Sequence, residues 1–237
     1  MKRKLKFIIF SLVFFSIASW LWFELCFLEG NALTFWQELV KAGEENEVVI
    51  IFNPGGWGTT PFDEALDFAP IVENIKSTIE NFGYKTAVVP YFRTKNNFFA
   101  KIGSVNEFFT SFHSQSKKMA QNLEGLIKED ENLDILMVGL SSGATFVNET
   151  VDKLSEDAKE SVLAIGMGLP FWNKSTNSPN ALFLDKQGKD PLSSGNIPML
   201  IFALIKSPFH PKIEGHFYFW EDVEDEITVF CQKNIKR

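Results

Sequence analysis

Gly139-Leu140-Ser141-Ser142-Gly143 sets a serine midway between two glycines. A free serine hydroxyl is a poor nucleophile at neutral pH, so acyl chemistry at Ser141 requires a base and a turn that projects the side chain. The G-x-S-x-G spacing provides that turn when a strand runs in and a helix runs out. Glycines two positions away on each side then remove side chains that would collide with the neighbouring strand and helix. The helix start behind the serine also favours negative charge developing on an attacked carbonyl.

A second turn complements the first. Asn53-Pro54-Gly55-Gly56-Trp57-Gly58 carries few side chains and lets a backbone N–H face the space before Ser141. An oxyanion hole needs one such donor besides the N–H of the residue after the nucleophile. The expected donors are therefore Ser142 and either Gly56 or Trp57.

Three histidines are available as the base. His113 lies within a helical pattern well before Ser141. His210 sits between prolines in Ser207-Pro-Phe-His210-Pro211. His216 follows Gly215 and precedes Phe217-Tyr-Phe-Trp220 and a terminal helix, which suits a base reaching over a sheet edge, and it is the favoured candidate. The acid that orients the imidazole is expected between nucleophile and base. Asp190, after a glycine turn and before Pro191, is favoured; Asp185, abutting a strand and able to cap a turn, is the alternative.

The surrounding pattern supplies the elements that must hold these residues. Val48–Phe52 reads as a buried strand, 68–82 as a helix with Ile71, Ile75 and Ile79 on one face, and 86–91 as a second strand. A helix over 105–129 leads to a strand over 133–138, then a helix over 144–154 and a strand over 162–167. A short strand at 181–184, an apolar segment at 197–205 and a helix at 221–235 complete the chain. Strands separated by helix-length segments predict an α/β fold, a mostly parallel central sheet with helices on both faces. The loops 92–104 and 171–180 are placed to border a ligand site at the sheet's C-terminal edge.

Composition excludes several classes. A content of 45% hydrophobic and 22% charged residues is that of a globular protein and not of a disordered one. Residues 30–237 hold 19 Lys/Arg against 28 Asp/Glu, a net charge of −9 that phosphate backbones would repel, so no nucleic-acid partner is expected. Cys26 and Cys231 cannot form a disulfide framework, and three scattered histidines give no metal-ligand spacing.

Lys2, Arg3, Lys4 and Lys6 precede an apolar run from Phe7 to Leu28, broken by serines and Glu24. Twenty-two helical residues would span roughly 33 Å, enough for a hydrocarbon core of about 30 Å. The expectation is an N-terminal transmembrane signal anchor over residues 1–29, the flank cytoplasmic and the domain at 30–237 on the far side. The alternative is secretion after cleavage near Ser16-Ile17-Ala18-Ser19.

On the Gly-Gly-Trp turn, the Gly-Leu-Ser-Ser-Gly elbow, the Gly-Lys-Asp-Pro loop and Gly-His-Phe before the last helix, residues 47–235 resemble the α/β-hydrolase superfamily. The resemblance implies Ser141 as nucleophile, Asp190 as acid, His216 as base and no cofactor, with little room for a lid between Ser141 and Asp190. The early turn departs from the family in carrying Asn-Pro where many members have His-Gly. The expected activity is hydrolysis of an ester or thioester, of a small molecule or, given the aromatics Phe98, Phe99 and Trp172, of a lipid. Acyl transfer to another acceptor and a non-catalytic binding or scaffold role are the alternatives.

Overall fold

The computed structural model describes residues 2–95, 107, 110–130, 132–186, 188–196, 198 and 216–235, the first helix by backbone alone at 2–5, 7 and 19–32. Five strands form one sheet: β1 (Val48–Asn53), β2 (Thr86–Pro90), β3 (Asp134–Leu140), β4 (Val162–Met167) and β5 (Ala181–Leu184). Their order is β2-β1-β3-β4-β5, and every pairing is parallel. β1, β3 and β4 are buried along their whole length, which is why they read as unbroken apolar runs and not as alternating ones.

Helices cover both faces. α2 (Ala69–Asn81) and α5 (Trp220–Asn234) pack on one face through Ile71, Ile75, Ile79, Val223 and Ile227. α3 (His113–Glu129) and α4 (Ser142–Asp152) cover the other through Met119, Leu123, Phe146 and Val147. The end of α1 (Lys2–Glu45) joins that second layer with Phe35 and Leu39. Between β1 and β3 the connections leave for opposite faces, β1 toward α2 and β3 toward α4. That switch point opens a crevice at the C-terminal edge of the sheet, where α/β proteins place their ligands.

The expected strands and helices lie within a few residues of those observed. The helix expected from residue 105 starts at His113 among the described residues, and the apolar segment 197–205 lies outside them apart from Pro198.

The transmembrane helix does not hold. Among the described residues, no helix is long and apolar enough to cross a membrane. The expected anchor is instead the first part of one continuous helix, α1, which runs on to Glu45.

Candidate active site

β3 delivers Ser141 to the switch point, and α4 begins at the next residue. Ser141 has φ 55° and ψ −115°, a conformation that L-residues rarely adopt and that costs about 1–3 kcal/mol. The turn is held by the Ser141 N–H, which donates to Met167 O at the end of β4 (2.8 Å), and by Thr145 N–H, which donates to Ser141 O (3.0 Å). The two glycines are required by close approach. A Cβ on Gly139 would lie 2.5 Å from the carbonyl carbon of Gly143, and a Cβ on Gly143 would overlap Asn53 O at the end of β1. The elbow is thus wedged between β1 and α4 with no room for another atom.

His216 and Asp190 meet beside β4. His216 Nδ1 lies 2.8 Å from Asp190 Oδ2, and Asp190 is fully buried. A Cβ on Gly168 would overlap His216 Cε1 and sit 2.8 Å from Asp190 Oδ2, so both side chains press on the backbone just after Met167. Met167 is the residue that accepts the Ser141 N–H, which brings nucleophile, base and acid candidates to one strand end. His216 Nε2 is buried and has no hydrogen-bond partner among the described residues, so no Ser141–His216 hydrogen bond is formed. Hydrogen bonds of this kind are often long before substrate binds.

Asp190 is surrounded by donors. Tyr218 Oη donates to its Oδ2 (2.7 Å), and the Leu192 N–H donates to its Oδ1 (2.8 Å). Burial alone would raise the carboxyl's pKa, but the hydrogen bond and charge of His216, with the Tyr218 and Leu192 donors, outweigh it and hold the carboxyl below its ordinary value. Burial and the same carboxylate push the Tyr218 phenol far up, so it stays a donor. Asp185 is exposed and makes no hydrogen bond or ion pair with the imidazole; its backbone O accepts from the Asp190 N–H (3.4 Å). His113 is exposed at the start of α3, and His210 lies outside the described residues.

At the oxyanion side, Ser142 is the first residue of α4 and its N–H has no intrahelical acceptor. Ser142 Oγ donates to Gly56 O (2.6 Å), which draws the β1 loop against the elbow. Gly58 N–H closes that loop onto Gly55 O (3.0 Å), and Gly56 and Trp57 N–H have no backbone acceptor among the described residues. The expected donors Ser142, Gly56 and Trp57 are therefore neighbours in space.

Three residues of this site went unread in the sequence. Tyr218 had a weak signal, since it lies two residues from His216 in an extended segment and so on the same side. Lys186 Nζ donates to Phe217 O (2.7 Å) between them and pairs with Asp222 (2.9 Å). Arg93 Nη2 donates to Ser142 Oγ (2.9 Å) and Pro54 O (2.8 Å). Among the described residues no cluster of His, Cys, Asp and Glu could hold a metal ion.

Solved structures share this arrangement of sheet and helices. A Trichoderma reesei cutinase in complex with a phosphonate inhibitor superposes with a TM-score of 0.56 at 13% identity, over 94% of this chain and 100% of that one. An acetylxylan esterase superposes with a TM-score of 0.52 at 11% identity, over 79% of this chain and 98% of that one. The chain shares the fold of these two solved structures. No family model matches the chain, and no curated protein does.

Proposed function

We propose that the protein is a serine hydrolase that cleaves an ester or thioester through a Ser141–His216–Asp190 triad. Ser141 Oγ attacks the acyl carbonyl while His216 Nε2 takes its proton, and the same proton passes to the leaving alkoxide or thiolate as its bond to the acyl carbon breaks. Water then attacks the acyl-enzyme with His216 again as base, releasing the acid and restoring Ser141. Asp190 holds the Nδ1–H tautomer and stabilises the imidazolium. Ser142 N–H, with Gly56 or Trp57 N–H, receives the oxyanion.

The observation that carries this reading is the buried His216 Nε2, without a partner among the described residues, of an imidazole fixed by Asp190 at the strand end that anchors Ser141. A buried ring nitrogen without a partner is costly unless a reacting group supplies one. The test is labelling of Ser141 by a fluorophosphonate probe. The neighbours named as cutinase and acetylxylan esterase support an ester over other acyl substrates. Trp57, Phe171 and Trp172 are each about half exposed on the loops after β1 and β4, which favours an apolar acyl part. Phe98 and Phe99, read in sequence as part of the same surface, lie outside the described residues.

The lack of a Ser141–His216 hydrogen bond favours a second reading, a binding protein on the same fold. It predicts no probe labelling. The basic flank and apolar run at the N-terminus fit export with removal of a leader near Ala18, which N-terminal sequencing of the mature protein tests.

A further inference from the structure

Arg93 is the one arginine among residues 4–236, in a chain whose other cations there are lysines. It follows β2, and its side chain is 1% exposed beneath the oxyanion turn. Its Nη2 donates both to Ser142 Oγ (2.9 Å) and to Pro54 O (2.8 Å), so a single nitrogen joins the first residue of α4 to the loop after β1. The backbone repeats the link, with Arg93 N–H donating to Gly58 O (3.0 Å). Gly58 is shaped by this contact: at φ +68°, its absent Cβ would sit 2.9 Å from the Arg93 guanidinium carbon. The guanidinium lies over the rings of Phe112 (5.1 Å) and Phe146 (5.9 Å), which offset part of its desolvation.

The balance of the site is unusual. Among the described residues, Nε and Nη1 of Arg93 are buried without hydrogen-bond partners, and no carboxylate forms an ion pair with it. Tyr91, whose phenol interacts with it, is held neutral because burial, with a smaller contribution from the buried Glu107 carboxylate, pushes that phenol up to about 12. Burial lowers Arg93 itself only to about 10, so it is charged at neutral pH. A buried cation that no carboxylate of the described residues pairs with is costly for stability alone. Its position matches the one place where the proposed reaction develops negative charge.

We propose that Arg93 is a positioning residue for the oxyanion hole, bracing Ser142 and the 54–58 turn so that their N–H groups converge in front of Ser141. The proposal rests on the serine-hydrolase reading for its catalytic consequence, while the brace itself is a physical property of the free protein. Ser142 Oγ is the central link, since it accepts from Arg93 and donates to Gly56 O. Lysine could place one donor nitrogen between carbonyl and hydroxyl but could not lay a planar cation over the two rings.

The experiment compares wild type, Arg93→Met, Ser142→Ala and the double variant by two measurements. The first is backbone hydrogen exchange across residues 54–58 and 141–143, which needs no turnover. The second is kcat and KM on p-nitrophenyl butyrate, with Ser141→Ala as the control. The brace predicts exchange at least about tenfold faster in these segments, with the central sheet unchanged. It also predicts kcat at least about tenfold lower with KM within about threefold, because the loss falls on the transition state. The double variant should be no worse than the more affected single one, since both cut the same link. Should Arg93→Met fail to fold, Ser142→Ala, a small change at a residue that keeps its N–H, carries both measurements. Unchanged exchange in these segments, or unchanged kcat in an active enzyme, overturns the proposal. Turnover that survives Ser141→Ala instead overturns the hydrolase reading, and hydrogen exchange then still decides the brace.

Discussion

His216 Nδ1 and Tyr218 Oη converge on one oxygen of Asp190, at 2.8 and 2.7 Å. The carboxylate is thus saturated on its buried side before any substrate arrives, and the imidazole's orientation depends on a phenol as well as an acid. Tyr218 Oη also reaches Leu184 O (3.1 Å), tying the histidine segment to β5.

Tyr218→Phe should therefore cost about 1.5–3 kcal/mol, the worth of a hydrogen bond to a charged group, in thermal or urea unfolding. The effect has a pH signature. Asp190 is depressed in the native state, so its contribution is full above the ordinary carboxylate pKa of about 4 and is lost as pH falls through the native value. Removing the Tyr218 donor raises that native value and moves the loss to higher pH. The stability gap between wild type and variant should narrow as pH falls below about 4; a gap independent of pH contradicts the account.

Asp190→Asn should lower kcat by about 10³–10⁴-fold, because an amide no longer selects the Nδ1–H tautomer. Asp185→Asn, at an exposed residue with no hydrogen bond to the imidazole, should leave kcat within about twofold. Steady-state kinetics on one activated ester separates the two.

Gly143→Ala and Gly139→Ala should each destabilise by about 1–3 kcal/mol or more, since the new Cβ meets backbone and not a side chain that can move aside. For a chain of this size, that lowers Tm by roughly 2–4 °C per kcal/mol. Calorimetry checks it, and an unshifted Tm means that the elbow is looser than its geometry.

Lys186→Met should lower kcat about tenfold or more while leaving the fold intact. The ammonium donates to Phe217 O and lies 5.7 Å from the Tyr218 ring, so its loss frees the segment that aims His216. Asp222→Asn should do less, because the Lys186–Phe217 contact survives it. Equal kcat for Lys186→Met and wild type rules out the clamp.

Much of this architecture was legible because buried parallel strands are written as short apolar runs. Val48–Asn53 and Val162–Met167 could be found on that ground, and with them the position of Ser141 at a strand's end. Of the two aspartates, Asp190 is the one that the backbone folds inward onto the imidazole, and the proline after a glycine turn is the only local mark that sets it apart from Asp185. Arg93 and Lys186 left no local pattern, since each acts on backbone carbonyls far away in sequence and no spacing rule encodes that. The N-terminal helix misled for a different reason. Hydropathy reports what a segment could enter, while α1 runs on past the apolar stretch to bury Phe35 and Leu39 against the domain.

The most direct test of the central claim is fluorophosphonate labelling of wild type and Ser141→Ala, with the adduct located by peptide mass spectrometry. The account predicts a single adduct on Ser141 in the wild type, none in the Ser141→Ala variant, and labelling strongly slowed in His216→Ala. Labelling that persists without Ser141, or a folded wild type that never reacts, would contradict it.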